Sequence, residues 1–230
     1  MNPALLLLAD SRLPAGGHAH SGGTEQAVTS GAVHDVPSLA RFLRGRLHTA
    51  GTVAAALTAA ACTQATTCAS PGGVESPWAV LDAETDARTA APAQREASRT
   101  QGRLLLRVAR RVWPSPVLDE LARDVPNPHH PITLGVAAHA AGATPEEAAM
   151  AAAYHAVSGP ATAAVRLIGL DPVAVHGLLA DLTPDLTAVA AQAHLAAADA
   201  LWGTLPAYSS PALDLLAEHH ARAAVRLFVS

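Results

Sequence analysis

Histidine is the residue type with the most chemistry to offer in this chain of 230 residues, and two of the twelve stand in an unusual setting. The stretch Leu13-Pro14-Ala15-Gly16-Gly17-His18-Ala19-His20-Ser21-Gly22-Gly23-Thr24-Glu25 sets four glycines around His18, His20 and Ser21. Backbone N–H groups in such a loop, ahead of a helix starting near Thr24, can cradle an anion or a phosphate. Two imidazoles so close in sequence can also begin a metal site. Neither reading finds a second support, because no Walker spacing is present and no third ligand stands at a recognised distance. A structural turn or a partner surface is the stronger expectation. The remaining histidines, His34, His48, His129, His130, His139, His155, His176, His194, His219 and His220, form no H-E-x-x-H arrangement. The two His-His pairs read as polar surface, and His155, alone in an apolar helix, as a satisfied core residue.

Other chemistry is excluded by what is absent. All fifteen basic residues are Arg and none is Lys, which removes P-loop nucleotide hydrolysis and amine catalysis. No serine has a G-x-S-x-G setting, and no carboxylate pair stands in a context for matched acid and base roles. Cys62 and Cys68, spaced C-x5-C, fit no common zinc or redox pattern and read as small buried hydrophobes. A net charge of −4 with no basic stripe argues against a nucleic-acid partner. The opening residues lack a basic lead-in, and the longest uncharged run, Ala148 to Val165, is mostly Ala and is interrupted by His155 and Gly159-Pro160. A soluble, cytoplasmic protein with no membrane contact is expected. Arg166, at the end of that run, has two readings: a partner for the helix dipole, or a buried or interface arginine paired with an acid.

The elements that must position these residues read as helices. Six pairs place a capping residue before Pro: Asn2-Pro3, Ser76-Pro77, Thr144-Pro145, Asp171-Pro172, Thr183-Pro184 and Ser210-Pro211. Thr144-Pro145-Glu146-Glu147 is a capping box. Leu39, Phe42, Leu43, Leu47, Ala50, Val53, Leu57 and Ala61 keep a helical period from Pro37 to about Ala61, with Gly51 as a bend. A segment opening near Pro92 interleaves Leu104, Leu105, Val108 and Val112 with Arg95, Arg99, Arg103, Arg107 and Arg110, which should face water. Later helices are expected over 131–141, 145–168, 172–182, 184–202 and 211–228, with the long one kinked at Pro160. Loops fall at Ser70-Pro71-Gly72-Gly73 and at 126–131. Half of the residues are apolar, enough for a packed core, so the expectation is an all-α single-domain bundle over 1–230 with roughly eight to ten helices.

Three blocks, in order, resemble the urease accessory protein UreF family. Leu5 to Glu25 is similar to the family's opening apolar helix followed by P-x-G, an aromatic and S-x-G-x-E. Tyr154 through Ser158 to Ala163-Ala164-Val165-Arg166-Leu167-Ile168 resembles Y-x-x-x-S-N followed by A-A-x-R-L. His220 to Arg226-Leu227-Phe228-Val229-Ser230 is similar to an ending of H-E, then R-L-F-x-S. The chain departs from these patterns at His18 for Tyr or Phe, Gly159 for Asn, Ala221 for Glu, and Gly169-Leu170-Asp171-Pro172 for P-L-G-Q. The resemblance marks Pro14, Gly16, His18, His20, Ser21, Gly23, Glu25, Tyr154, Ser158, Arg166, His220, Arg226, Leu227, Phe228 and Ser230 as motif or partner-binding residues. It implies a non-catalytic scaffold that dimerises, binds UreD (also called UreH) and recruits the GTPase UreG, so that nickel reaches apo-urease. It further implies no tightly bound cofactor, with nickel in transit. The alternatives are a nickel carrier using His18 and His20, or a regulator lending an arginine such as Arg99 or Arg103 to UreG.

Overall fold

The computed structural model of the chain describes residues 2–10, 12–67, 76–198 and 201–230. Cys68, the 70–73 loop and Ser11 lie outside them. Among the described residues every regular element is helical, and ten helices have nine residues or more. In chain order they are α1 (Ala4–Ala9), α2 (Thr24–Thr29), α3 (Val36–Arg46), α4 (Thr52–Thr67), α5 (Pro77–Ala87), α6 (Pro92–Val112), α7 (Pro116–Asp124), α8 (His130–Ala140), α9 (Pro145–Ile168), α10 (Pro172–Asp181), α11 (Thr183–Ala196) and α12 (Pro211–Arg222).

The starts follow local chemistry. Helices α5, α9, α10 and α12 each open on the expected Pro, where the missing N–H has no intrahelical partner to lose. The capping box at α9 is formed in both directions: Thr144 Oγ1 accepts from the Glu147 amide at 3.2 Å, and Glu147 Oε2 accepts from the Thr144 amide at 3.1 Å. Glu147 also accepts from the Asn2 amide at 2.9 Å, which fastens α1 across the start of α9.

Three boundaries differ from expectation. The predicted helix over 37–61 is two helices joined by a π-turn over Leu47–Gly51, where Gly51 lies against Ala156, and the second runs on to Thr67. The helix expected to end at 202 ends at Ala196. The last helix stops at Arg222 instead of 228, because the next residues turn extended and their amides find partners elsewhere.

Small side chains let the inner helices approach closely. Helix α4 is buried on nearly all sides and packs against α8, α9 and α11. At the α4–α8 crossing, a Cβ on Gly135 would lie 2.3 Å from the Thr58 carbonyl oxygen. Helix α9 runs through Pro160 as one element of 24 residues, with Ala148, Ala152, Ala161 and Ala164 buried. No helix among the described residues is long and apolar enough to cross a membrane.

Candidate functional site

The loop of residues 13–23 wraps over one end of α9. Gly16 and Gly23 adopt φ of +77° and +90°, a left-handed backbone that a side chain resists. Gly23 is the residue from which α2 starts, and α2 carries Glu25 in its first turn. Residues 223–230 form a tail that doubles back onto this loop. Glu25 Oε1 accepts from the Leu227 amide at 2.6 Å, and Oε2 accepts from the Phe228 amide at 3.0 Å. The Val229 amide donates to the Ala19 carbonyl at 2.7 Å, and the Ser21 amide donates to the Ser230 carbonyl. His20 Nδ1 and Ser230 Oγ share a hydrogen bond of 2.6 Å. His220, buried at the end of α12, donates from Nε2 to the Phe228 carbonyl at 3.3 Å and sets Nδ1 3.8 Å from Glu25.

Helix α9 supplies the third side. Tyr154, Ser158, Thr162 and Arg166 follow one another at four-residue steps, a single stripe of the helix. The guanidinium of Arg166 lies 4.9 Å from the centre of the buried Phe228 ring, a cation–π contact, and reaches the His18 carbonyl at 3.5 Å. Arg166 is exposed, so the buried reading is corrected, and within the described residues its side chain meets an aromatic face and no acid. The extended tail turns Phe228 inward and its alternate residues outward, leaving Val225 90%, Leu227 60% and Val229 60% exposed beside the exposed Arg226.

The three sequence blocks therefore meet in one place. His20, Ser21, Glu25, Arg166, His220, Phe228 and Ser230 contact one another directly or through one neighbour. Pro14, Gly16 and Gly23 belong to the loop, and Tyr154 and Ser158 lie further along α9. Of the loop amides, those of Ala19, His20, Ser21 and Thr24 are bonded to the chain's own carbonyls. His18 is exposed and His20 is buried against Ser230, and both border the same cavity.

Behind this latch lies a cavity of about 1100 Å³ reached by His20, His130 and His155. The His130 and His155 rings are 6.0 Å apart. Burial pushes His130 down to about 3, helped by the neighbouring His155, and pushes His20 down to about 4. His155 is also lowered by burial, and its Nε2 donates to the Leu8 carbonyl at 3.1 Å. Arg46 closes one wall: Nη1 donates to the Gly22 carbonyl at 2.8 Å and Nε to the Ala156 carbonyl at 3.0 Å. Desolvation lowers that guanidinium to about 10. Its signal in sequence is an arginine placed on the face of α3 that carries Leu39 and Leu43.

Sequence reasoning also missed a polar cluster on the far side of the cavity. His129, expected at the surface, is fully buried, with Nε2 2.9 Å from Asp86 Oδ1 and Nδ1 3.0 Å from Ser98 Oγ. Arg99, expected to face water, bridges Asp82 at 2.9 Å and Asp86 at 2.6 Å, whereas Arg103, Arg107 and Arg110 are exposed as expected. Asp82, Asp86 and His129 present ligand atoms within 4.8 Å of one another. The cation standing between the two carboxylates is Arg99, so the donor set is satisfied as an ion-pair network. Burial pushes the Asp86 carboxyl up, but hydrogen bonds from His129 and Arg99 outweigh it and hold it low.

Residues 33–183 match the family model described as UreF. The chain is similar to the "Urease accessory protein UreF" of Mycolicibacterium vanbaalenii, 44% identical over 226 residues that cover 98% of this chain and 97% of the relative. It is also similar to proteins of the same name from Mycobacterium sp. strain JLS, at 45% over 226 residues, and Mycobacterium tuberculosis, at 41% over 228 residues, with the same coverage.

Proposed function

The chain belongs to the UreF family of urease accessory proteins, and from that premise we propose that it is a non-catalytic scaffold for urease maturation. In this reading it binds UreD and, as a dimer, recruits the GTPase UreG, so that GTP hydrolysis by UreG accompanies nickel insertion into apo-urease. Nickel is cargo here, not a resident cofactor, and the setting is the cytoplasm.

The observation that carries the reading is the tail latched onto the loop. Loop, helix α9 and tail are far apart in the chain, yet they build one surface whose inner side is hydrogen-bonded around the buried Phe228 and whose outer side exposes apolar side chains. An exposed strip of Val225, Leu227 and Val229 beside Arg226 has the composition of a partner anchor. The same latch closes over the histidine-lined cavity, which supports a route for a transiting metal whose imidazoles are held neutral and able to accept one. The carrier reading would use His18 and His20, which both border this cavity, His18 on its exposed side and His20 buried against Ser230.

The test is urease activation in a host that expresses the urease subunits and the remaining accessory proteins, with and without this chain. Nickel bound per urease site and urea turnover should rise together when the chain is present. Full nickel loading without it would refute the proposal.

A further inference from the structure

On the opposite side of the loop a second surface has no role in the latch. A groove of about 430 Å³ runs between α1 and the end of α6, with Leu7, Leu13, Pro14, Val112 and Trp113 as its walls and the Asp10–Arg12 ion pair at one rim. Leu7 and Val112 are 55% and 49% exposed, and Leu6 beside them is 65% exposed. Large apolar side chains exposed together in a concave site are costly unless something covers them.

The charge beside the groove indicates what covers it. Helix α6 carries six arginines and one glutamate in a chain whose net charge is −4. Arg99 and Arg110 are paired, with Asp82 and Asp86 in one case and Asp119 at 2.7 Å in the other. Arg103, Arg107 and Arg111 are exposed and have no acidic partner among the described residues. They repeat at four-residue steps, so each faces a like charge one turn away, an arrangement that destabilises a helix unless a counter-charge meets it. Leu104, Val108 and Val112 form a parallel row one residue later, rotated by about 100°. Arg107 and Arg111 therefore border the apolar row that ends in the groove.

We propose that this groove is the docking site for an acidic amphipathic helix of a partner protein, its apolar side chains entering between Leu7, Leu13, Val112 and Trp113 and its carboxylates meeting Arg107 and Arg111. Charge complementarity selects that occupant: an uncharged apolar segment would leave the arginine row uncompensated, and a basic one would be repelled. The site is separate from the tail latch, so the two are separable by mutation.

The test titrates the full chain with a synthetic amphipathic helix whose leucine stripe is flanked by glutamates, reading Trp113 emission with Trp113→Phe as the control. The same helix with lysine in place of glutamate, and phosphatidylserine vesicles, are titrated in parallel. The acidic helix should saturate, shift the emission to the blue and weaken as salt rises. Binding should fall about tenfold or more in Arg107→Glu/Arg111→Glu, through lost pairing and new repulsion. Arg107→Ala/Arg111→Ala, which leaves the fold least disturbed, should weaken it in the same direction, and removal of residues 221–230 should leave it unchanged. Equal binding of the lysine helix, unchanged binding by both arginine double variants, or vesicle binding without peptide binding would overturn the proposal, the last in favour of a lipid surface.

Discussion

Replacing Glu25 by Ala removes both acceptors that hold the Leu227 and Phe228 amides. The Glu25 side chain is 13% exposed, so its bonds are shielded from water but not fully buried. A hydrogen bond to a charged group contributes about 1.5–3 kcal/mol, and the shared acceptor and partial exposure place the pair near the low end, at about 2–3 kcal/mol together. If the tail opens as a local unit, that loss raises its open population by about 30- to 150-fold. Amide exchange at Leu227 and Phe228 should accelerate by this factor, and trypsin should cut after the exposed Arg226 correspondingly faster. Protection in α4 and α8 should not change, because Glu25 touches neither. Glu25→Gln, which keeps one neutral acceptor, should fall between the two. Unchanged exchange at residues 227 and 228, or equal acceleration throughout the protein, would refute the latch as the cause.

Three further outcomes follow from packing and titration. Gly135→Ala should cost about 1–3 kcal/mol or prevent folding, since its Cβ meets the Thr58 carbonyl at 2.3 Å and Ala61 at 2.7 Å; thermal melting checks it. Thr133→Val should leave the melting temperature unchanged or raised, because the Thr133 hydroxyl is buried with no hydrogen-bond partner among the described residues. His20 and His130 are held at about 4 and about 3, below the ordinary 6.5, so the unfolded chain binds more protons than the folded one between those values. Stability is then complete above the unfolded value and falls as the solution is acidified, by about 2 kcal/mol per histidine at about pH 5; denaturant titration across that range should show the slope, and His130→Gln should flatten it.

The sequence carried the features that depend on neighbours within a turn or two. The capping box at Thr144 and Glu147, and the helices opening on Pro77, Pro145, Pro172 and Pro211, needed no tertiary information. The ends that slipped are those where a distant partner competes. Residues 223–228 leave the helical path because Glu25, 202 positions earlier, takes the Leu227 amide. Arg99 and His129 looked like surface residues because Asp82 and Asp86, which hold them, stand on another helix. Arg46 was hidden among the leucines of α3, and its carbonyl partners, Gly22 and Ala156, belong to the loop and α9. The family motifs marked the residues of the latch, but their spacing could not say that Phe228 seats under Arg166.

The scaffold role is tested most directly by co-expressing the full chain, and the chain lacking residues 221–230, with the cognate UreD and UreG, followed by affinity capture and light scattering. The full chain should elute in a stoichiometric complex with UreD that grows when UreG and GTP are added, and the shortened chain should remain folded but leave UreD behind. Elution of the full chain alone from folded partners, or equal complex formation by the shortened chain, would contradict the account.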